Sequence, residues 1–267
     1  MSGDVWAAVR ARQWWHFLGL PLATLDVGRF EVHAAWRVPA AIVVGGCCLA
    51  VAYAINAVCE RHTDRSPGKN PLVVRPELAG PVVWLAGLLA AIGLVVAWGL
   101  GVWAFGAACV SLVAGLVYSA SAWGKRAPVV GLIGNTLIFA PLLVLMHPGG
   151  ALAPGVSFEV ALFVVLLAQN QLLHERADVA EDAAAGAWTT GRWLGGRGTR
   201  GVVVVLGGVG VGLVGLATSI GAQVVGVSCV VAATIVGWVM RPVRARRWHR
   251  RCAAIGGGLV FVLQRFF

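Results

Sequence analysis

The sequence predicts an all-α integral membrane protein with about nine transmembrane helices. Of its 267 residues, 59% are hydrophobic and only 12% are charged, whereas a soluble domain carries about twice that share of charge. Apolar stretches of about 20 residues recur along the chain, and a helix of that length crosses the hydrocarbon core of a bilayer. The stretches do not alternate apolar and polar residues, so they do not predict the strands of a membrane barrel.

Nine apolar stretches are the candidate spans, and we expect them to form a single polytopic domain over residues 1–267. They lie at residues 14–27, 38–58, 81–98, 100–120, 129–147, 158–173, 202–219, 221–240 and 252–267. The first is short and contains Pro21. The apolar region from 81 to 120 is too long for one crossing, so we expect two helices with a break near Gly99.

Lysine and arginine are distributed unevenly among the predicted loops. Eighteen of the 21 fall on one side of the membrane, and only Arg29, Arg37 and Arg265 fall on the other. Because loops rich in Lys and Arg stay in the cytoplasm, we expect a multi-pass protein of the inner (plasma) membrane with its N-terminus inside and its C-terminus outside. The net charge of +10 is then explained by topology and phosphate chemistry, and no nucleic-acid partner is predicted.

Acidic residues are concentrated in two segments, both predicted to face the cytoplasm. Six of the 11 acids fall within residues 56–71 and 174–190. In the first segment Asn56, Glu60 and Asp64 are four residues apart, so they share one face if the preceding span stays helical. In the second, Asp178 and Asp182 share a face.

These acids have the chemistry of a magnesium site. Carboxylates stacked on a helix face repel one another unless a cation lies between them. Mg²⁺ prefers oxygen ligands and is usually held by one or two carboxylates together with substrate phosphates. If the face with Asn56, Glu60 and Asp64 opposes the face with Asp178 and Asp182, the two faces would hold a diphosphate through bridging Mg²⁺.

Basic side chains accompany the acids. Arg65 and Lys69 follow the first acidic face, and Lys125 and Arg126 follow Tyr118 at the end of a predicted span. Metals and basic groups stabilise the negative charge that develops on a departing diphosphate. Acids for a metal and bases for phosphates, on one side of a membrane protein, predict a lipid diphosphate substrate.

Both motifs resemble those of the UbiA superfamily of intramembrane prenyltransferases. The first family motif, Asn-x-x-x-Asp-x-x-x-Asp, is similar to the run from Asn56 through Glu60 to Asp64, and the second is similar to Asp178-x-x-x-Asp182-x-x-x-Gly186-x-x-Thr189. Tyr118-Ser119 followed by Lys125-Arg126, and the segment 64–72, resemble further family elements.

The chain also departs from the family pattern in three places. Ala57 stands where a further Asp is frequent, and Glu60 replaces an Asp. The first acid of the second motif is replaced by His174, or is shifted to Glu175. The roles of these last two residues are left open by the sequence.

The resemblance implies a bundle of nine helices around a central cavity. Motif loops 56–79 and 174–200 would cap its cytoplasmic end, and membrane lipid would surround it. The implied reaction is Mg²⁺-dependent ionisation of an isoprenyl diphosphate, followed by capture of the allylic cation by an aromatic or other small acceptor. The implied diphosphate-binding residues are Arg65, Lys69, Lys125, Arg126 and Tyr118, and the implied catalytic residues are Asp64, Asp178 and Lys125.

Two other functions fit the same motifs. A UbiA-type terpene cyclase would ionise the same diphosphate and close the chain onto itself, and a non-catalytic transporter would use the acids to bind ions. Prenyl chain length, acceptor identity and oligomeric state are not indicated by the sequence.

Overall fold

The computed structural model of the chain describes residues 3–22, 35–64, 67, 70–121, 124, 127–146, 154–217 and 219–266. Every regular element in these residues is a helix, which confirms the predicted fold class. The chain divides into two compact units, Met1–Lys125 with Leu137–Gly150 and Arg126–Thr136 with Ala151–Phe267. The single domain expected over the whole chain stays a prediction.

The first unit is built on three long helices. They are α3 (Arg37–Glu60), α4 (Ala79–Leu100) and α5 (Val102–Ala120), preceded by α1 (Gly3–Ala8), α2 (Ala11–Trp14) and a 3₁₀ helix (Trp15–Leu22). Pro71 and Pro76 each begin a 3₁₀ turn before α4, because proline suits the first position of a helix, where its missing N–H is not needed. The first predicted span, 14–27, is described only as far as residue 22.

A glycine separates α4 from α5. Gly101 has φ +124° and ψ 168°, and its N–H bonds the carbonyls of Ala97 and Trp98. Only glycine adopts such a backbone conformation readily, so α4 ends and α5 begins here without a longer loop. The predicted division of residues 81–120 into two helices with a break near Gly99 is confirmed, and the break itself is at Gly101.

Small residues allow α3 to approach both of its neighbours closely. A Cβ atom added at Gly93 of α4 would lie 2.9 Å from Cβ of Cys47, and one added at Gly115 of α5 would lie 2.9 Å from Cβ of Ala52. Helices in lipid associate through this kind of close contact between small side chains. The two glycines therefore set the distance between these helices.

The second unit contains most of the remaining helices. They are α7 (Pro154–Ala177), α8 (Val179–Ala184), α9 (Thr190–Val214), α10 (Ile220–Val239) and α11 (Pro242–Phe266). Between the units in sequence, α6 (Val130–Phe139) continues as a 3₁₀ helix, Ala140–Val144. Pro141 lies at this transition, where its missing N–H interrupts α-helical bonding. The fifth predicted span, 129–147, is therefore two helical pieces.

One buried polar network joins four helices of the second unit. Nε2 of Gln169 donates to the carbonyl of Val203 at 2.8 Å and to Oγ1 of Thr234 at 3.1 Å. The side-chain oxygen of Gln169 lies 3.0 Å from Nε2 of His249, which is fully buried. Because that oxygen only accepts, Nε2 of His249 is the donor. The network ties α7 to α9, α10 and α11.

Two helices begin well before the spans predicted for them. α9 begins at Thr190 instead of residue 202 and is interrupted by a kink at Gly195, where φ is +64° and ψ is 177°. α11 begins at Pro242 instead of residue 252. The arginines that were expected in loops are therefore helical, since arginine is a good helix former and needs no apolar surroundings to continue a helix. As a result, the last part of the predicted motif loop 174–200 is also helical.

Five of the described helices are long and apolar enough to cross a membrane. They are Arg37–Glu60, Pro76–Leu100, Val102–Ala120, Thr190–Val214 and Ile220–Val239. The prediction of a membrane protein is confirmed. The count of nine spans and the orientation of the termini stay predictions.

Candidate active site

The first acidic cluster lies where α3 ends. Nδ2 of Asn56 donates to Oε2 of Glu60, one turn further along the helix. The helix ends at Glu60, and Asp64 follows in a turn. The backbone N–H of Asp64 donates to the carbonyl of Glu60 at 2.8 Å. The shared helix face expected for three residues is therefore present for Asn56 and Glu60, while a turn brings Asp64 back towards Glu60.

Arg10 joins the two acids of this cluster. Its Nη2 donates to Oδ2 of Asp64 at 3.0 Å, and its Nη1 lies 3.9 Å from Oε2 of Glu60. Arg10 is 7% exposed and has φ +53° in the link between α1 and α2. From the sequence, Arg10 is only one of the 18 basic residues on the predicted cytoplasmic side, because its contact with Asp64 spans 54 positions.

Asn70 is a second residue that sequence reasoning missed. Its side chain is fully buried, and its Nδ2 donates to the carbonyl of Ala57 at 2.8 Å and to Oδ2 of Asp64 at 3.1 Å. Its Oδ1 accepts from the N–H of Leu72 at 3.1 Å. Asn70 therefore holds the returning chain against the end of α3. The one local signal was its position before Pro71, which is typical of a turn.

The oxygen atoms of this cluster suit a magnesium ion. Oδ1 of Asn56 is buried and accepts no hydrogen bond from the described residues. The bond to Glu60 fixes the orientation of the Asn56 amide. A carboxylate can only accept a hydrogen bond, so the amide nitrogen faces Glu60 and the amide oxygen points elsewhere. An amide oxygen that accepts no hydrogen bond from the residues that are described, together with the carboxylates of Glu60 and Asp64, is the kind of hard-oxygen donor set that Mg²⁺ prefers.

The second acidic cluster lies between α7 and α9. Nδ1 of His174 lies 3.0 Å from Oδ2 of Asp178, which precedes α8. The N–H of Asp182 bonds the carbonyl of Asp178 at 2.8 Å, so the two acids are one helical turn apart. Oγ1 of Thr189 donates to Oδ2 of Asp182 at 3.2 Å. Asp182 is thus held by a hydrogen bond from Thr189, and Asp178 lies close to the imidazole of His174.

Glu175 has a different partner. Its Oε2 accepts from the N–H of Gly191 at 2.8 Å, and its Oε1 accepts from Nε2 of Gln171 at 3.1 Å. Burial raises the pKa of the Glu175 carboxyl, and the bonds from Gly191 and Gln171 oppose that rise. Glu175 therefore binds the first turn of α9, and it is His174 that contacts the motif acid Asp178.

Of the five residues predicted to bind diphosphate, only Tyr118 lies within the described part of the chain. Arg65, Lys69, Lys125 and Arg126 lie outside the described residues. Tyr118 lies in the last turn of α5 and is partly buried. In the part of the chain that is described, no group of three His, Cys, Asp or Glu side chains is close enough to hold a metal by itself. A metal at either cluster would therefore need further ligands, such as amide oxygens, water or substrate phosphates.

Comparisons with known proteins agree on one family. The model of the UbiA prenyltransferase family matches residues 14–261. A UbiA homologue from Archaeoglobus fulgidus bound to DMAPP and Mg²⁺ is similar in fold, with a TM-score of 0.75, 19% identity and coverage of 99% of this chain and 100% of that one. None of the curated proteins compared with the chain matches it.

Two further solved structures have the same fold. A digeranylgeranylglyceryl phosphate synthase matches with a TM-score of 0.74, 12% identity and coverage of 99% of both chains. A UbiA homologue from Aeropyrum pernix K1 matches with a TM-score of 0.62, 16% identity and coverage of 94% of both chains. Since the family model spans most of the sequence, the chain belongs to the UbiA prenyltransferase family.

Proposed function

We propose that the protein is a Mg²⁺-dependent intramembrane prenyltransferase that moves an isoprenyl group from an isoprenyl diphosphate to an aromatic or other small acceptor. The observation that carries the proposal is the first acidic cluster. There Glu60 and Asp64 contact Arg10, and Oδ1 of Asn56 is buried and accepts no hydrogen bond from the described part of the chain. Family membership supports it, as does the relative from Archaeoglobus fulgidus that was solved with GPP and Mg²⁺.

The proposed division of labour follows the chemistry of each group. In the reaction, the C–O bond between the isoprenyl group and the diphosphate breaks, and its electron pair leaves with the diphosphate. The acceptor then bonds the isoprenyl carbon and loses a proton. Mg²⁺, when bound, supplies positive charge to the leaving diphosphate. The residues that would hold Mg²⁺ are Asn56, Glu60, Asp64, Asp178 and Asp182.

The other side chains near the two clusters would position the acids and contact the diphosphate. Arg10 would hold Glu60 and Asp64 in place and offset their repulsion, since it contacts both. Thr189 and His174 would orient Asp182 and Asp178. The residues proposed to contact phosphate oxygens are Arg65, Lys69, Lys125, Arg126 and Tyr118. The proposed catalytic residues are Asp64, Asp178 and Lys125.

Diphosphate release by the purified protein tests this function. The protein would be incubated with Mg²⁺ and isoprenyl diphosphates of several lengths, with and without aromatic acceptors. We expect release that requires Mg²⁺, that falls at least about 100-fold in Asp64→Asn and Asp182→Asn, and that is unchanged in Glu77→Gln. Glu77 is the matched control because it is an exposed acid that is not among the proposed metal ligands or catalytic residues.

Each result has a clear meaning. Prenylated acceptor that forms only in the presence of Mg²⁺ supports the transferase. A cyclic hydrocarbon formed without any acceptor identifies a terpene cyclase instead. Equal diphosphate release by the wild type and both Asn variants would show that the acids are not part of a catalytic site.

A further inference from the structure

The net positive charge of the chain arises entirely from its last third. All 11 acidic residues lie at or before Asp182, and the 11 Lys and Arg residues up to that point balance them. Residues 183–267 contain ten arginines and no acid. The net charge of +10 therefore belongs entirely to the segment that forms α9, α10 and α11.

One face of α11 is fixed by packing within the second unit. Ala245 and His249 are fully buried, and Val260 further along is 3% exposed. Ala245 packs in the apolar cluster with Leu173 and Val203. His249 bonds Gln169 of α7. These residues lie about one or more whole turns apart, so they mark the inward side of the helix.

The outward face of α11 changes character along its length. Arg244, Arg247, Trp248 and Arg251 recur at helical spacing and are exposed. The guanidinium of Arg251 lies over the Trp248 ring, 5.0 Å from its centre. One turn later the same face presents Ile255, which is 62% exposed. The face thus passes from arginine and tryptophan to an apolar side chain within about 6 Å, the rise of four helical residues.

We propose that Arg244, Arg247 and Arg251, with Trp248, bind the phosphates of anionic phospholipid headgroups where α11 meets the membrane surface. Guanidinium groups bind phosphate oxygens in pairs, and tryptophan is enriched at the depth of the headgroups. A soluble polyanion would satisfy the arginines but leave Ile255 in water. A phospholipid satisfies both, because its acyl chains begin where its phosphate ends.

Lipid retention by the full-length protein tests the proposal. The purified protein would be equilibrated in mixed micelles with equal amounts of phosphatidylglycerol and phosphatidylcholine, and the bound lipids would be counted by native mass spectrometry. The wild type should retain phosphatidylglycerol in preference, and less of it as salt rises. In R244Q/R247Q/R251Q the preference for phosphatidylglycerol over phosphatidylcholine should be roughly 100-fold weaker, since each of the three basic residues near an anionic surface contributes about fivefold. R244K/R247K/R251K should keep more of the preference than the glutamine variant, because the charge is retained, but less than the wild type, because lysine cannot form the paired bonds of a guanidinium.

Several outcomes would overturn the proposal. Equal retention of the two lipids by the wild type would show that headgroup charge is not recognised. A glutamine variant that keeps the preference would show that these arginines are not the site. Displacement of phosphatidylglycerol by millimolar inorganic diphosphate would identify a site for soluble phosphates, and a homodimer without bound lipid would show that the face packs on a second copy.

The salt dependence is measured on the wild type, so it does not rely on any variant folding. Diphosphate release is a separate measurement, so lipid binding and catalysis can fail independently.

Discussion

Replacing Arg10 by glutamine should destabilise the first unit strongly. The guanidinium of Arg10 lies 3.0 Å from Asp64, and the two side chains are 5% and 3% exposed. At that distance, with an effective dielectric constant of about 20, the attraction is about 5 kcal/mol. Removing one partner of a buried pair costs about 3–5 kcal/mol, because the other charge stays buried without compensation. We expect Arg10→Gln to lose about 3 kcal/mol, since glutamine keeps one hydrogen-bond donor.

Thermal unfolding in detergent with a chelator present would measure this loss. For a chain of this size each 1 kcal/mol lowers Tm by about 2–4 °C, so Arg10→Gln should unfold about 6–12 °C below the wild type. Arg75→Gln is the matched control, because Arg75 is exposed and lies in the same unit. Adding Mg²⁺ should restore part of the lost stability, since a cation would again lie between the acids.

A double-mutant cycle separates the ion pair from unrelated damage. Asp64→Asn in the Arg10→Gln background should cost much less than it does in the wild type, with a coupling free energy of at least about 2 kcal/mol. Additive effects of the two changes, or a Tm of Arg10→Gln within about 2 °C of the wild type, would refute the argument that Arg10 compensates the buried acids.

Three further changes test other contacts. Asn56→Ala should raise the Mg²⁺ concentration for half-maximal diphosphate release about tenfold, because it removes one proposed oxygen ligand, while Asn56→Asp should not. Glu175→Ala should lower the unfolding free energy by about 2–3 kcal/mol through the loss of two buried hydrogen bonds. Because the pKa of Glu175 is raised above 4.5 on folding, the folded state binds its proton more tightly. Wild-type stability should therefore fall as pH rises from about 4.5 through the raised pKa, and a denaturation series on Glu175→Gln should lack that slope. Gly191→Ala would place a Cβ 2.9 Å from Cβ of Glu175 and 3.0 Å from its carbonyl carbon, so it should cost about 2 kcal/mol. Gly196→Ala in the same helix has open space around it and should leave Tm within about 2 °C of the wild type.

Hydropathy predicted the long helices well where a helix is apolar throughout. The span expected at 38–58 is the central part of α3, and the one at 221–240 corresponds closely to α10. It failed at the starts of α9 and α11, where arginines extend each helix beyond its apolar part. Hydropathy reports where a helix can enter lipid, and it does not report where the helix begins, because a charged helix outside the membrane keeps the same backbone bonds.

The acids of both motifs were predictable, but their partners were not. The spacing of Asn56 and Glu60 indicated a shared helix face, and the structure shows it. Whether His174 or Glu175 takes the place of the missing acid was left open. The structure separates them, because Glu175 is buried against the start of α9 while His174 contacts Asp178.

Residue type and local spacing by themselves determined that this chain crosses a membrane, that it resembles the UbiA family and where its acidic motifs lie. Each of these is a property of a short stretch of sequence. The tertiary structure decided which groups meet those acids. Arg10 and Asp64 are 54 positions apart, and Glu175 and Gly191 are 16 apart. Contacts at such separations depend on how helices pack and turn, and periodicity along one helix contains no information about them.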